Sequence, residues 1–186
     1  MEIKKYHGKD LNIQTTSKIA SLIKDTFGEI SELYSDESTF KKQVEWNLEK
    51  TIEEVDESQV FYVIENEKKE IIACLRGSIK ETYLNEEMWD GNLFFSTYVG
   101  TKEQRKWLGS MLKKEFEKDA IQKALDNHKP SLVISRVNKK NEKSIGWNIK
   151  NGYKERKEGD TSEYNQYYKS MYPENLGEKV IEDKLE

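Results

Sequence analysis

Apolar positions recur along this chain with two periods, and the switches between them mark out its elements. From Thr15 to Ile30, the residues Ile19, Leu22, Ile23 and Phe27 fall three and four apart, which predicts a helix burying one face. Thr15, Thr16 or Ser17 can serve as its N-cap. A second helix is predicted over Glu37–Glu54, where Phe40, Val44, Trp46, Leu48 and Ile52 make a less regular face. Strand character appears at Ile3–Tyr6 and again at Val60–Ile64, a β-branched and aromatic run. Asn66-Glu67-Lys68 reads as a hairpin turn into a strand over Ile71–Ile79. Residues 81–90 form an acidic connection to a strand at Leu93–Val99. The longest helical pattern, Gln104–Leu125, aligns Leu108, Met111, Leu112, Phe116, Ala120 and Ile121. A strand at Leu132–Val137, a short helix at Glu142–Lys150 and strands at 152–158 and 163–171 complete the order β-α-α-β-β-β-α-β-α-β-β. Strands on both sides of helical crossovers imply an α/β (α+β) fold, with helices covering a mixed sheet.

Composition narrows the class. At 186 residues, with no repeat or Pro-rich linker, the chain is expected to form one domain over residues 1–172 with a charged C-terminal tail at 173–186. Apolar and charged residues each make up 35%, and 4 Trp, 10 Tyr and 6 Phe supply large side chains for the core. No apolar run approaches the roughly 18–20 residues that cross a bilayer, and the amino terminus lacks the apolar stretch of a secretory signal. The expectation is a cytoplasmic protein with no membrane partner. Cys74 is the lone cysteine and His7 and His128 the two histidines, so no metal site is expected. A net charge of −4 disfavours nucleic-acid binding, although Lys102–Lys114 is locally basic.

Two segments carry candidate chemistry. In Val99-Gly100-Thr101-Lys102-Glu103-Gln104-Arg105-Lys106-Trp107-Leu108-Gly109-Ser110, a strand ends in a polar turn and a long helix begins. The first-turn amides and the dipole of such a helix suit a pyrophosphate, and Lys102, Arg105 and Lys106 add positive charge. The alternative is a plain strand-to-helix turn with a solvated basic face. In the second segment, the strand ending at Val137 leads through Asn138 to a helix capped by Asn141. That helix carries Ser144, Trp147 and Asn148 and ends at Gly152, with Tyr153 starting the next strand.

In this order and spacing, the two segments together resemble the GCN5-related N-acetyltransferase (GNAT) superfamily. The family's motif A, Gln/Arg-x-x-Gly-x-Gly/Ala after a strand ending in Val, is matched by Gln104 and Gly109, with Trp107 at the first glycine. Its motif B, Asn-x-x-Ala-x-x-Leu-Tyr-x-x-x-Gly-Phe, falls on Asn141, Ser144, Trp147, Asn148, Gly152 and Tyr153. The resemblance covers about residues 1 to 172. It implies a mixed, mostly antiparallel twisted sheet of about seven strands with a central splay, flanked by about four helices. It also implies acetyl transfer from acetyl-CoA to a primary amine, by direct attack in a ternary complex, with CoA as product.

By that resemblance the splayed strands are 94–100 and 132–137. The backbone around Thr97, Tyr98 and Val99 would hold the pantetheine arm. The amides from Arg105 to Ser110 (Arg105, Lys106, Trp107, Leu108, Gly109, Ser110), with Gln104 beside them, would hold the pyrophosphate. Asn138, Asn141, Ser144, Trp147 and Asn148 would line the cofactor's exit.

The Val99 N–H would face the thioester oxygen as it gains charge. The family often protonates the departing thiolate with a tyrosine at the position held here by Asn148, which has no acidic proton to give. A thiol of pKa about 8.5 leaves tolerably as an anion, so water or another tyrosine suffices. The candidates are Tyr98, Tyr153, Tyr164, Tyr167 and Tyr168. The attacking amine, with an ordinary pKa near 10, must first lose a proton, and Glu81, Glu86, Glu87 or Asp90 could take it through water. The alternative for these four is a solvent-facing connector. Tyr34, Phe40 and Trp46 either wall the acceptor site or belong to the core. Cys74 reads as a small buried apolar residue, not a nucleophile.

The acceptor is expected to be a small-molecule, amino-acid or peptide amine, on a monomer or homodimer. A catalytically degenerate acyl-CoA sensor or partner module is the alternative, for which Asn148 and Trp107 speak.

Overall fold

The computed structural model describes residues 2–28, 37–52, 55, 57–81, 91–102, 107–156 and 163–171. The expectations for Gln104, Arg105, Lys106, Tyr34, Glu86, Glu87, Asp90 and the tail lie outside these residues. The strands are β1 (Ile3–His7), β2 (Gln59–Glu65), β3 (Ile71–Glu81), β4 (Asn92–Thr101), β5 (Ser131–Asn138), β6 (Lys154–Arg156) and β7 (Tyr164–Met171). The helices are α1 (Ile13–Gly28), α2 (Glu37–Ile52), α3 (Leu108–Asn127) and α4 (Glu142–Lys150). The strands are hydrogen-bonded in the order β1-β2-β3-β4-β5-β7-β6. The pair β4–β5 is parallel, whereas β1–β2, β5–β7 and β6–β7 are antiparallel. This is the mixed, mostly antiparallel seven-stranded sheet with four helices that the sequence predicts.

The described residues fall into two compact units. The first takes the chain up to Gly77 together with Thr97–Lys114. Its core sets Ile19, Leu22 and Ile23 of α1 against Phe61 and Val63 of β2 and Cys74 of β3, all at most 2% exposed. At about 1.5–3 kcal/mol for each large side chain withdrawn from water, this cluster is what holds α1 on the strands. Beside it Arg76 is buried, donating to Asn47 O and Oδ1 and to Thr51 Oγ1 at 2.7–3.0 Å, with Trp46 stacked 5.2 Å from the guanidinium.

The second unit takes Ser78–Ser96 and the chain from Glu115 onward. Here Leu93, Leu132 and Ile134 pack with Phe95 and Tyr168 on one sheet face. Phe94 meets Phe116 of α3 edge-on at 5.5 Å. Asn92, buried at the start of β4, bonds to Asn127 at the end of α3 and to Ser131 of β5.

Several boundaries differ from expectation, each for a local reason. α1 begins at Ile13, because Asn12 Oδ1 accepts the Thr15 amide at 2.8 Å. The hydroxyls of Thr16 and Ser17 instead turn back onto the carbonyls of Asn12 and Ile13. β6 starts at Lys154, because Gly152 (φ 80°) and Tyr153 are spent on ending α4; positions 157 and 158 lie outside the described residues. On α3 the buried stripe is Leu108, Leu112, Phe116, Ala120 and Ala124, while Ile121 is 39% exposed.

Candidate functional site

The sequence-predicted residues sit at two strand-to-helix junctions. At the first, within the first unit, β4 runs through Thr97, Tyr98 and Val99 to Thr101, and the Lys102 amide donates to Ile72 O at 2.8 Å. The Lys102 ammonium pairs with Asp25 of α1 at 2.8 Å. α3 starts at Leu108, not at Gln104: Met111 N donates to Trp107 O at 2.9 Å, the first intrahelical bond. The amides of Leu108 and Gly109 therefore precede the first carbonyl the helix can offer them.

Trp107 has φ 59°, the left-handed conformation in which glycine is at ease and other residues are strained. It is also 73% exposed, so the indole stands out from the junction. A Cβ added at Gly109 would meet Val99 Cγ1 at 3.4 Å, an ordinary contact. Trp107 thus takes the backbone conformation a glycine would take, at the start of a helix whose N-terminal field suits a pyrophosphate.

At the second junction, within the second unit, the side chains serve the junction itself. Asn138 Oδ1 accepts the Lys140 amide at 2.9 Å, closing the turn after β5. Asn141 Oδ1 accepts the Ser144 amide at 3.1 Å, which makes it the N-cap of α4. Asn148 is buried, and its Nδ2 donates to Ser144 O at 2.7 Å. Trp147 leans on the Tyr153 ring at 6.0 Å.

The parallel ladder pairs Asn92–Ser96 of β4 with Ser131–Ser135 of β5, rung by rung. β4 itself continues to Thr101 and β5 to Asn138, so the ladder ends at the Ser96–Ser135 rung, short of either strand's end.

The tyrosines are separated by their surroundings. Tyr153, 5% exposed, donates its hydroxyl to Glu117 Oε1 of α3 at 2.8 Å. Lys169 of β7 reaches Glu117 Oε2 at 3.1 Å and lies 5.6 Å from the Tyr153 ring centre. Burial first, and the Glu117 carboxylate second, raise the Tyr153 pKa well above the ordinary tyrosine value. Tyr164 lies under the Arg136 guanidinium at 4.6 Å, and Tyr168 belongs to the Leu93–Leu132–Ile134 cluster. Tyr167, 2% exposed, stands opposite Ser135. Glu81 is the last residue of β3. The buried Cys74 thiol is pushed up to about 12 by desolvation, so it stays protonated near neutrality and is no nucleophile.

Sequence reasoning missed Glu117 and Lys169, which carry no signal distinguishing them from other charges on α3 and β7. Ser96 and Ser135 did leave one: each interrupts a strongly apolar strand, and both are buried. An open cavity of about 590 Å³ in the first unit, lined by Leu11, Ile13, Thr16, Lys24, Ile52 and others, involves none of the predicted site residues.

No protein-family model matches the sequence, and no curated protein does. Solved structures do match in shape. The PaiA N-acetyltransferase of Thermoplasma acidophilum, in complex with coenzyme A, superposes with TM-score 0.61 at 14% identity, over 91% of this chain and 99% of that one. A GNAT-family acetyltransferase of Staphylococcus aureus Mu50 gives 0.62 at 12% identity, over 91% and 99%. Naa20 of Chaetomium thermophilum, in complex with a bisubstrate analogue, gives 0.53 at 17% identity, over 92% and 86%. The chain has the GNAT fold. Among the described residues no helix is long and apolar enough to cross a membrane.

Proposed function

We propose that this chain, acting as one unit over residues 1–172, is an N-acetyltransferase that passes an acetyl group from acetyl-CoA to a primary amine of a small molecule, amino acid or peptide. One observation carries the reading: β4 extends to Thr101, five residues past its Ser96–Ser135 rung with β5, and α3 begins at Leu108 beside a solvent-exposed Trp107 in the left-handed conformation. Acetyl-CoA, when bound, supplies an acyl thioester. The backbone of Thr97 and Val99 holds its pantetheine as an added strand would be held. The amides at Leu108 and Gly109 take the pyrophosphate through the helix-terminal field. The Val99 N–H donates to the thioester oxygen as that oxygen gains charge. Glu81, or another carboxylate of the 81–90 connection, receives the amine's proton through water. The bisubstrate analogue bound by the Naa20 structure and the coenzyme A bound by the PaiA structure support this reading through the shared fold alone.

Calorimetry with acetyl-CoA, followed by free-thiol release across spermidine, free amino acids and short peptides, tests it. The expected result is binding together with release that depends on one class of amine. Absence of binding sinks the reading. Asn148, with its amide committed to Ser144 O, favours a second reading, a sensor that binds acyl-CoA without turnover. Binding without thiol release from any amine would select it.

A further inference from the structure

α1 carries two stripes of residues. Ile19, Leu22 and Ile23 pack into the core of the first unit, whereas Ile13, Thr16, Ser17, Ala20, Ser21 and Lys24 recur three and four apart along another side of the helix. This second stripe lines the open cavity of about 590 Å³, and Leu11, Thr51, Ile52 and Val55 add to the lining. All of these residues belong to the first unit. From Ile13 to Lys24 the helix advances about 16 Å, at about 1.5 Å per residue. Spread along that length, 590 Å³ makes a channel about 7 Å across, too narrow for a helix of about 10–12 Å. Three of its four hydroxyls are spent on carbonyls four residues back: Thr16 on Asn12, Ser17 on Ile13 and Thr51 on Asn47. Ile13 and Ile52 remain 87% and 52% exposed, apolar side chains that an occupant would cover. Lys24, at one end of the stripe, is the one ionisable side chain of the described lining, and it makes no ion pair among the described residues.

We infer that this groove is a binding site for a medium-chain fatty acid, its alkyl chain laid along α1 from Ile13 to Ala20 and its carboxylate on the Lys24 ammonium. The site shares no residue with the proposed acetyl-transfer machinery and does not depend on that reading. An apolar channel ended by one cation matches a ligand with an apolar body and a single anionic head. A helical peptide is excluded by the width, and a neutral hydrocarbon would make no use of Lys24. Length then selects the chain. An extended alkyl chain advances roughly 1.3 Å per bond, from a carbon–carbon bond of about 1.5 Å, so about twelve carbons span the stripe. Glu53, Glu54 and Asp56 follow Ile52 closely in sequence, which makes the sign of the head group the decisive readout.

Calorimetry on the full-length chain, with each ligand below its micelle concentration, tests both halves of the site. Across octanoate, decanoate, dodecanoate and hexadecanoate, affinity should rise about tenfold for each two methylenes as far as dodecanoate and then level, because the groove is full. Dodecanoate should bind about fivefold tighter than dodecanol, the scale of one solvent-accessible charge contact. In Lys24→Gln the two should bind within about twofold of each other. Ser17→Trp sets an indole in the channel from an exposed helix position and should weaken dodecanoate at least about tenfold, with the unfolding midpoint little moved. Where that variant does not fold, Ser21→Trp, exposed and one turn further along α1, takes its place. The inference is overturned if no ligand of the series binds, or if dodecanol or dodecylammonium binds the wild type as tightly as dodecanoate. It is overturned equally if affinity keeps climbing to hexadecanoate, or if a folded tryptophan variant binds like the wild type. The acetyl-transfer reading stands or falls separately, on acetyl-CoA.

Discussion

The two strand-to-helix junctions solve the same geometric problem by opposite means. After β5, side chains do the work: Asn138 closes the turn, Asn141 caps α4, and Asn148 and Gly152 finish it. After β4, the described residue that leads into α3 is Trp107, which takes a left-handed conformation with its ring in solvent and accepts the Met111 amide at its carbonyl. A junction closed by its own side chains is saturated, whereas the first-turn amides of a helix have no carbonyl of that helix to bond. Changes at the first junction should therefore move ligand affinity, and changes at the second should move stability.

The largest separation is expected from Gly109→Pro. Proline suits the first turn of a helix, and its Cβ would make an ordinary contact with Val99 Cγ1 at 3.4 Å. It removes one amide from the proposed pyrophosphate cradle. Calorimetry should show CoA affinity reduced by about a hundredfold (~3 kcal/mol, a charge-assisted hydrogen bond) with the unfolding midpoint little moved. A variant that binds CoA like the wild type would break the contrast.

Tyr153→Phe probes the other junction. Loss of the hydroxyl that donates to Glu117 should cost about 2 kcal/mol in urea unfolding, the scale of a hydrogen bond to a charged group. Its pH dependence has a definite sign. The folded-state pKa of Tyr153 is raised, so the stability it contributes is complete below about pH 10, where the unfolded tyrosine is still protonated. Above pH 10 the unfolded form loses its proton and the folded form does not, so the wild type should lose stability there and the Phe variant should lose less. Parallel curves for the two proteins would remove Tyr153 as the source.

Asn141→Ala should cost about 1 kcal/mol, the usual value of a side-chain N-cap, with CoA affinity within about threefold of wild type. A larger loss of affinity would mean that the α4 cap also touches the ligand and that the junctions differ less than their hydrogen bonds suggest.

The same contrast explains what the sequence made legible. α4 was readable to the residue, Glu142–Lys150, because Asn141 and Gly152 are residue types whose chemistry announces a helix start and a left-handed stop. The start of α3 was misplaced by four residues, since nothing in a tryptophan signals a positive φ. The cap of α1 was misread because three hydroxyls followed Asn12, and hydroxyls bond backward within a helix as readily as they cap it. The order of elements along the chain survived these slips, because it depends on the period of apolar residues and not on element ends. Pairings such as Tyr153–Glu117, thirty-six residues apart, leave no local trace at all.

The smallest expected effect is the most discriminating. Trp107→Gly restores the residue type that a left-handed backbone prefers, and relieves about 1–2 kcal/mol of conformational cost. Glycine gives back about 0.5–1 kcal/mol of that through its freer unfolded chain, so the net gain in stability is roughly 0–1.5 kcal/mol. If the junction works through its amides, CoA affinity should hold or rise slightly, because the exposed indole contributes nothing to the cradle. A tenfold fall in affinity, measured by the same calorimetry, would show the indole to be a ligand contact in its own right. The degenerate motif would then be a substitution of one binding device for another, and the backbone would not be acting alone.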